Sequence, residues 1–234
     1  MNQPAPRIAL YGGTFDPVHL GHMAVARAAV ERFSLDRLYF VPADVQPLKS
    51  QRQTAGFEHR YAMLALALQG ELRLLPSLLE APRAGGEHRA APSYTVETLR
   101  RVRARLDSGA RLFFLIGMDA FRQIAQWRQP VELLRSAEFI IASRPGHSLD
   151  EVAQALPPEL HPKGDAMRAL EENGTLETGG ATLHLLPDVH EEVSSTAIRE
   201  AARSGLGLEN LVPAAVAEYI RKLNLYGAAD QPRP

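Results

Sequence analysis

An early glycine-rich turn of the chain reads Gly12-Gly13-Thr14-Phe15-Asp16-Pro17-Val18-His19-Leu20-Gly21-His22. Glycines carry no Cβ, so backbone can come close to a ligand. The unsatisfied N–H groups at a helix start, reinforced by the macrodipole, favour an anion there. His19 and His22 stand three apart, so on a first helical turn they share a face and can both donate to one phosphate. Taken singly, the glycines also fit an ordinary tight turn and each histidine a satisfied core or surface residue. A metal site is a further reading of the pair, which lacks the i, i+4 spacing of helical ligands and an obvious third ligand. The pattern is neither the GxGxxG dinucleotide fingerprint nor a Walker A loop.

A second group of polar residues comes late in the chain, in Val193-Ser194-Ser195-Thr196-Ala197-Ile198-Arg199. Its hydroxyls and helix-start N–H groups suit phosphate, and Arg199, about one turn on, can reach back with a fork of donors. The plain alternative is an N-cap followed by a surface arginine. Asp119 follows Gly117 at the end of an apolar run, where a carboxylate can accept both hydroxyls of a ribose or cap the next helix. Trp127 offers an indole face on which an electron-poor ring would stack, or a core side chain.

Gly-Gly-Thr-Phe-Asp-Pro followed by His-x-Gly-His resembles the signature of the nucleotidylyltransferase superfamily, and Val193 to Arg199 resembles that superfamily's second phosphate motif. Three more blocks narrow the likeness: Ala91-Pro92-Ser93-Tyr94-Thr95-Val96-Glu97-Thr98-Leu99; Ile116-Gly117-Met118-Asp119 with Trp127 eight residues later; and Ser143-Arg144-Pro145-Gly146. They resemble the bacterial nicotinate-nucleotide adenylyltransferases, from about Ile8 to Gly227.

The resemblance implies transfer of the adenylyl group of ATP to nicotinate mononucleotide, giving nicotinate adenine dinucleotide and pyrophosphate. It assigns catalytic roles to His19, His22 and Arg199. ATP contacts fall on Gly12, Gly13, Thr14, Phe15, His22, Lys49, Gly117, Asp119, Ser194, Ser195, Thr196 and Arg199. Mononucleotide contacts fall on Asp44, Tyr94, Thr95, Trp127, Arg128 and Arg144. The loop that commonly reads Pro-Pro-His-Lys in the family has Gln46 and Leu48 in place of proline and histidine here, with Lys49 retained. Two phosphorylated substrates repel, so Mg²⁺ is expected to travel with the triphosphate, held by phosphate oxygens and water; the sequence shows no dedicated metal triad. The rival readings are another adenylyl- or cytidylyltransferase, such as one acting on pantetheine phosphate, a nucleotide-binding sensor without turnover, and a purely structural α/β domain.

The elements that must position these residues alternate. Arg7 to Tyr11 reads as a strand closed by glycines, Ala24 to Val30 as the core of a helix running to Phe33, and Arg37 to Val41 as a second strand. A helix from about Glu58 to Gln69 and a strand from Leu72 to Leu75 follow. Ser93 or Thr95 is expected to cap a helix carrying Val96, Leu99, Val102 and Leu106, ended by Asp107-Ser108-Gly109. Arg111 to Ile116 is the next strand; a short helix then leads through Trp127 to a turn at Pro130, and Glu138 to Ala142 is a further strand. After Thr182 to Leu186 as a strand, Ser194 to Ser204 and Pro213 to Leu223 close as helices. This alternation predicts an α/β fold with a doubly wound, parallel, Rossmann-like sheet, its ligands at the carboxyl ends of the strands. One domain over 1–234 is expected, with an insertion lying over the core at about 147–180 and frayed ends at 1–6 and 228–234.

Composition bounds the rest. The apolar fraction of 45% and charged fraction of 23% are those of a globular chain. Basic and acidic residues number 26 and 27, a net charge of −1, so no whole-molecule field exists to hold nucleic acid or an anionic membrane. The absence of cysteine removes disulfides, thiolate nucleophiles and cysteine-ligated metal sites. No signal-like leader or membrane-spanning run is legible, which makes the cytoplasm the expected location. A homo-oligomer is compatible with the sequence.

Overall fold

The computed structural model describes residues 5–44, 55–82, 94–143, 149–162, 174–187 and 193–227. Its strands are β1 (Arg7–Gly13), β2 (Arg37–Pro42), β3 (Leu74–Pro76), β4 (Arg111–Gly117), β5 (Glu138–Ala142), β6 (Thr175–Thr178) and β7 (Ala181–Leu186). They form one seven-stranded sheet in the order β3-β2-β1-β4-β5-β7-β6. Pairing is parallel except between β6 and β7. The order reverses between β1 and β4, and such a switch point opens a crevice beyond the carboxyl ends of the two strands.

The helices are α1 (Leu20–Arg32), α2 (Phe57–Ala67), α3 (Thr95–Arg103), α4 (Met118–Phe121), α5 (Pro130–Ser136), α6 (Leu149–Ala155), α7 (Ser195–Arg203) and α8 (Ala214–Lys222). Because successive strand residues face opposite sides, β4 sends Phe113 and Leu115 into one core and Leu112, Phe114 and Ile116 into the other. The first core is closed by α1, α2, α7 and α8 through Met23, Met63, Ile198 and Val216. The second is closed by α3 to α6 through Leu99, Phe121, Leu133 and Val152. A strand buried on both faces reads as an unbroken apolar run, which is why Leu112 to Ile116 shows no alternation.

Four expectations need correction. Pro130 is not a turn: it is the first residue of α5, and the chain enters through Gln129 in the left-handed region (φ 51°), with proline's fixed φ suited to a first helical turn. The α3 helix is capped by neither expected residue. Its N-cap is Tyr94, with no side-chain cap hydrogen bond, and it ends at Arg103 rather than reaching Leu106. The 147–180 stretch, where described, is built into the core instead of lying over it: Val152, Leu160 and Leu176 are each 0% exposed, and β6 completes the sheet edge. Pro6 is tied down, its carbonyl accepting from Arg111 N at 2.8 Å; residues 1–4 and 228–234 lie outside the described residues.

Candidate active site at the switch point

His19 is the N-cap of α1, and the cap is built from both histidines. The His22 amide donates to His19 Nδ1 at 3.3 Å, and the His19 amide donates to His22 Nδ1 at 3.3 Å. This is a capping box with imidazoles in place of the usual hydroxyl and carboxyl groups. Each Nδ1 must present a lone pair to accept, so the proton of each neutral ring sits on Nε2. The rings lie 3.7 Å apart between centroids at 31°. Burial, and secondarily the neighbouring His19, hold His22 well below the ordinary histidine range. His22 is thereby a fixed Nε2–H donor rather than a cation.

The loop leading into this cap is clamped. A Cβ on Gly12 would meet Phe114 Cζ at 2.9 Å, and one on Gly13 would meet Phe15 Cζ at 2.8 Å, so ring packing demands both glycines. Phe15 is 1% exposed and left-handed (φ 50°), wedged among Tyr11, His22 and Phe40; the Asp16–Pro17 peptide is cis. Three successive supports catch the loop's carbonyls: Arg60 Nη1 donates to Thr14 O at 2.8 Å, Arg199 Nη1 to Asp16 O at 2.7 Å, and Ser195 Oγ to Pro17 O at 3.1 Å. Arg60, 3% exposed, also holds Ala55 O and Asp44 O, joining this loop to the one beyond β2. A fork of guanidinium donors can serve several carbonyls at once; an ammonium could not span them.

Ser194 caps α7, its hydroxyl accepting from Ala197 N at 3.1 Å. That helix start faces a cleft of about 250 Å³ lined by His19, His22, Gly117, Asp119, Ser194 and Ser195, with Tyr11 and Ser143 between them. Arg199 lies behind, also donating to Thr196 Oγ1 at 3.1 Å. Thr14 Oγ1 is buried with no hydrogen-bond partner among the described residues. Two helix N-termini and two imidazoles thus surround one space between β1 and β4, an arrangement that attracts polyphosphate. Among the described residues, no group of three metal-ligating side chains is close enough to hold an ion.

A second cluster lies on the other face of the sheet. The Arg128 guanidinium sits 4.4 Å over the Tyr94 ring and 3.8 Å from Glu97, while Tyr94 and half-buried Trp127 pack against the second core. These side chains are not among those lining the cleft.

The model of the cytidylyltransferase-like family matches residues 10–201 of this chain. A protein described as "Probable nicotinate-nucleotide adenylyltransferase" from Solibacter usitatus is 34% identical over 94% of this chain and 99% of its own length. One so described from Gloeobacter violaceus is 36% identical over 94% and 96%. The chain belongs to the nicotinate-nucleotide adenylyltransferase family. Among solved structures, a Plasmodium falciparum nicotinic acid mononucleotide adenylyltransferase complexed with NaAD superposes with a TM-score of 0.69 at 18% identity, covering 94% of this chain and 97% of that one. That likeness bears on the fold.

Of the residues that the adenylyltransferase resemblance singled out, His19, His22, Gly117, Asp119, Ser194 and Ser195 share the cleft. Gly12, Gly13, Thr14, Phe15, Thr196 and Arg199 build its supports. Asp44 stands at the end of the described part of the β2 loop, with its carbonyl on Arg60. Thr95 is the first residue of α3. Lys49 and Arg144 lie outside the described residues. Sequence reasoning missed Arg60 and Tyr226. An arginine in a helix reads as a solvent-facing residue, and a tyrosine in a terminal tail carries no local pattern.

Proposed function

We infer that the protein transfers the adenylyl group of ATP to nicotinate mononucleotide, yielding nicotinate adenine dinucleotide and pyrophosphate. The observation that carries this reading is the cleft at the switch point, where the α1 imidazoles and the Ser194-capped helix face one another. A mononucleotide phosphate oxygen attacks the α-phosphorus in line. The new O–P bond forms as the bond to the β-phosphate oxygen breaks, and the electron pair leaves with pyrophosphate. The attacking oxygen is already anionic, so no protein nucleophile is required. The task left to this chain is to orient two anions and to stabilise charge on the transferring and departing phosphates. Preorganised Nε2–H, amide and hydroxyl donors do this without reorganising. The unpartnered Thr14 hydroxyl supports a phosphate contact from the same loop.

Mg²⁺ is proposed to arrive on the triphosphate as part of the substrate, since the donors around the cleft are imidazole and hydroxyl rather than a carboxylate set. The nicotinate ring is assigned to the Trp127 cluster, with Tyr94, Thr95 and Arg128 beside it and Asp119 on the ribose. Asp44, Lys49 and Arg144 enter by resemblance. We assign the reaction to the cytoplasm; among the described residues no helix is long and apolar enough to cross a membrane.

A pyrophosphate-release assay with ATP and each mononucleotide in turn, with ATP and pantetheine phosphate, and with CTP and glycerol phosphate tests the reading. Release with ATP and nicotinate mononucleotide is expected. Release only with ATP and pantetheine phosphate, or only with CTP and glycerol phosphate, would move the chain to another transferase reaction, and ATP binding without release would make it a sensor. Trp127→Ala should raise the mononucleotide KM about tenfold or more while kcat changes little; an unchanged KM removes the ring assignment.

A further inference from the structure

Asp16 is 2% exposed, and its two carboxylate oxygens are treated unequally. Oδ1 accepts from the Tyr226 hydroxyl at 2.7 Å and from Ala55 N at 3.0 Å. Oδ2 is buried with no hydrogen-bond partner among the described residues, although Arg199 Nη1 lies 3.9 Å away. A buried carboxylate beside a guanidinium ordinarily closes into a forked pair. Here Arg199 instead donates through Nη1 to the Asp16 carbonyl at 2.7 Å and through Nη2 to Thr196 Oγ1. Something keeps this contact a long ion pair at 3.9 Å rather than a hydrogen-bonded fork.

Tyr226, together with Ala55 N, holds the carboxylate by its other oxygen. It follows α8, at the end of the described chain, and reaches across 210 residues of sequence to the loop before α1. Its backbone is left-handed (φ 68°), a conformation unfavourable for a bulky side chain, so it persists only where contacts fix it. Burial, then the adjacent Asp16 charge, push its phenol far above the ordinary tyrosine value, so the hydroxyl stays protonated and must donate. A hydroxyl-to-carboxylate bond is among the stronger kinds and draws the charge toward Oδ1.

We propose that Tyr226 is a positioning residue for adenylyl transfer: its hydroxyl pins the Asp16 carboxylate in a long ion pair, so that Arg199 serves the polyphosphate instead of closing into a forked pair with Asp16. This rests on the reading of Arg199 as a phosphate contact. Removing the hydroxyl frees Oδ1, lets the carboxylate turn, and draws the guanidinium onto it.

The test is a double-mutant cycle of Tyr226→Phe and Asp16→Asn in the full chain, read as kcat/KM for ATP and for nicotinate mononucleotide, with thermal melts in parallel. Tyr226→Phe keeps the ring and is expected to lower kcat/KM for ATP about tenfold while the mononucleotide KM stays put. Asp16→Asn removes the charge that would capture Arg199, so adding it to Tyr226→Phe is expected to restore most of the lost kcat/KM and to leave the double variant no worse than Asp16→Asn alone. Losses that multiply, a Tyr226→Phe enzyme within twofold of wild type, or an ATP defect that tracks only a lowered Tm would each overturn the proposal. If Tyr226→Phe does not fold, the double variant is compared with Asp16→Asn, and a further loss of more than twofold in kcat/KM for ATP overturns it. Calorimetric titration of ATP into the same variants reads the coupling separately. A wild-type chain that binds ATP but releases no pyrophosphate therefore counts against the function and not against the Tyr226–Asp16–Arg199 linkage.

Discussion

Around the starts of β4 and β5, partly exposed charge is fully engaged. Arg111 grips Glu138 through Nε at 2.7 Å and Nη2 at 2.6 Å, His184 Nε2 reaches the same carboxylate at 2.8 Å, and the Thr175 hydroxyl lies 3.0 Å from His184 Nδ1. Burial alone would raise the Glu138 carboxyl, but the hydrogen bonds from His184 and Arg111 outweigh it and hold it at about 2. At the opposite ends of the strands, Thr14 Oγ1 and Asp16 Oδ2 are buried with no hydrogen-bond partner among the described residues, and Phe15 is held left-handed. An unmade buried hydrogen bond costs about 1–3 kcal/mol. The molecule engages its polar groups where they only hold strands together, and at the open, cleft end leaves the Thr14 hydroxyl, a donor of the kind a phosphate oxygen accepts from, without a hydrogen-bond partner among the described residues.

Substitutions can break or sharpen this contrast. The largest effect is expected at the open end: His22→Ala should cut kcat by about 10²–10³ while costing only about 1 kcal/mol of stability through the lost capping box. Steady-state kinetics beside urea melts check it, and retained turnover would mean the imidazoles serve only as a cap. Gly13→Ala comes next. Phe15 is 1% exposed and has nowhere to swing, so overpacking should cost about 2–3 kcal/mol in a denaturant titration.

At the closed end, Glu138→Gln should remove about 2 kcal/mol at neutral pH with kcat unchanged. The depressed Glu138 stabilises the fold fully above its ordinary value of 4.5 and loses that contribution as pH falls through about 2, so variant and wild type should converge in acid. A constant gap across that range would show that packing, not charge, accounts for the loss. The smallest effect belongs to His22. Unfolded chain takes up a proton at about 6.5 that the folded ring refuses, so stability is full above that pH. It declines below it by up to about 1.4 kcal/mol per pH unit. Urea melts of wild type and His22→Ala on either side of that value should show the slope in wild type alone.

The open end was the more legible of the two in the sequence. Its residues are neighbours along the chain: the glycines, the histidine pair and the Ser194 cap each depend on local spacing, and the parallel winding follows from alternating apolar runs. What sequence reasoning lost depended on distance or on an unusual chemical choice. Histidine is not a customary capping residue, so His19 and His22 read as phosphate donors but not as a mutual cap. The Tyr226–Asp16 contact and the grip of Arg60 on Thr14 join segments far apart in sequence. The glycines were read as room for a ligand, whereas their Cα atoms face aromatic rings supplied by Phe114 and by Phe15. Thr175 to Thr178 escaped notice because a four-residue strand with Glu177 in it carries too short a pattern to register.

That short strand has a consequence for how the chain behaves in a crowded solution. A parallel ladder offers its outermost backbone as a template on which a neighbour could continue. Here the Gly179-Gly180 turn, with both residues at positive φ, folds four residues back along β7 and stops the winding without another crossover helix. The opposite margin is only three residues long and finishes in Pro76, which has no amide to give. Stacking of molecules edge to edge is thus discouraged at both rims by geometry and not by charge.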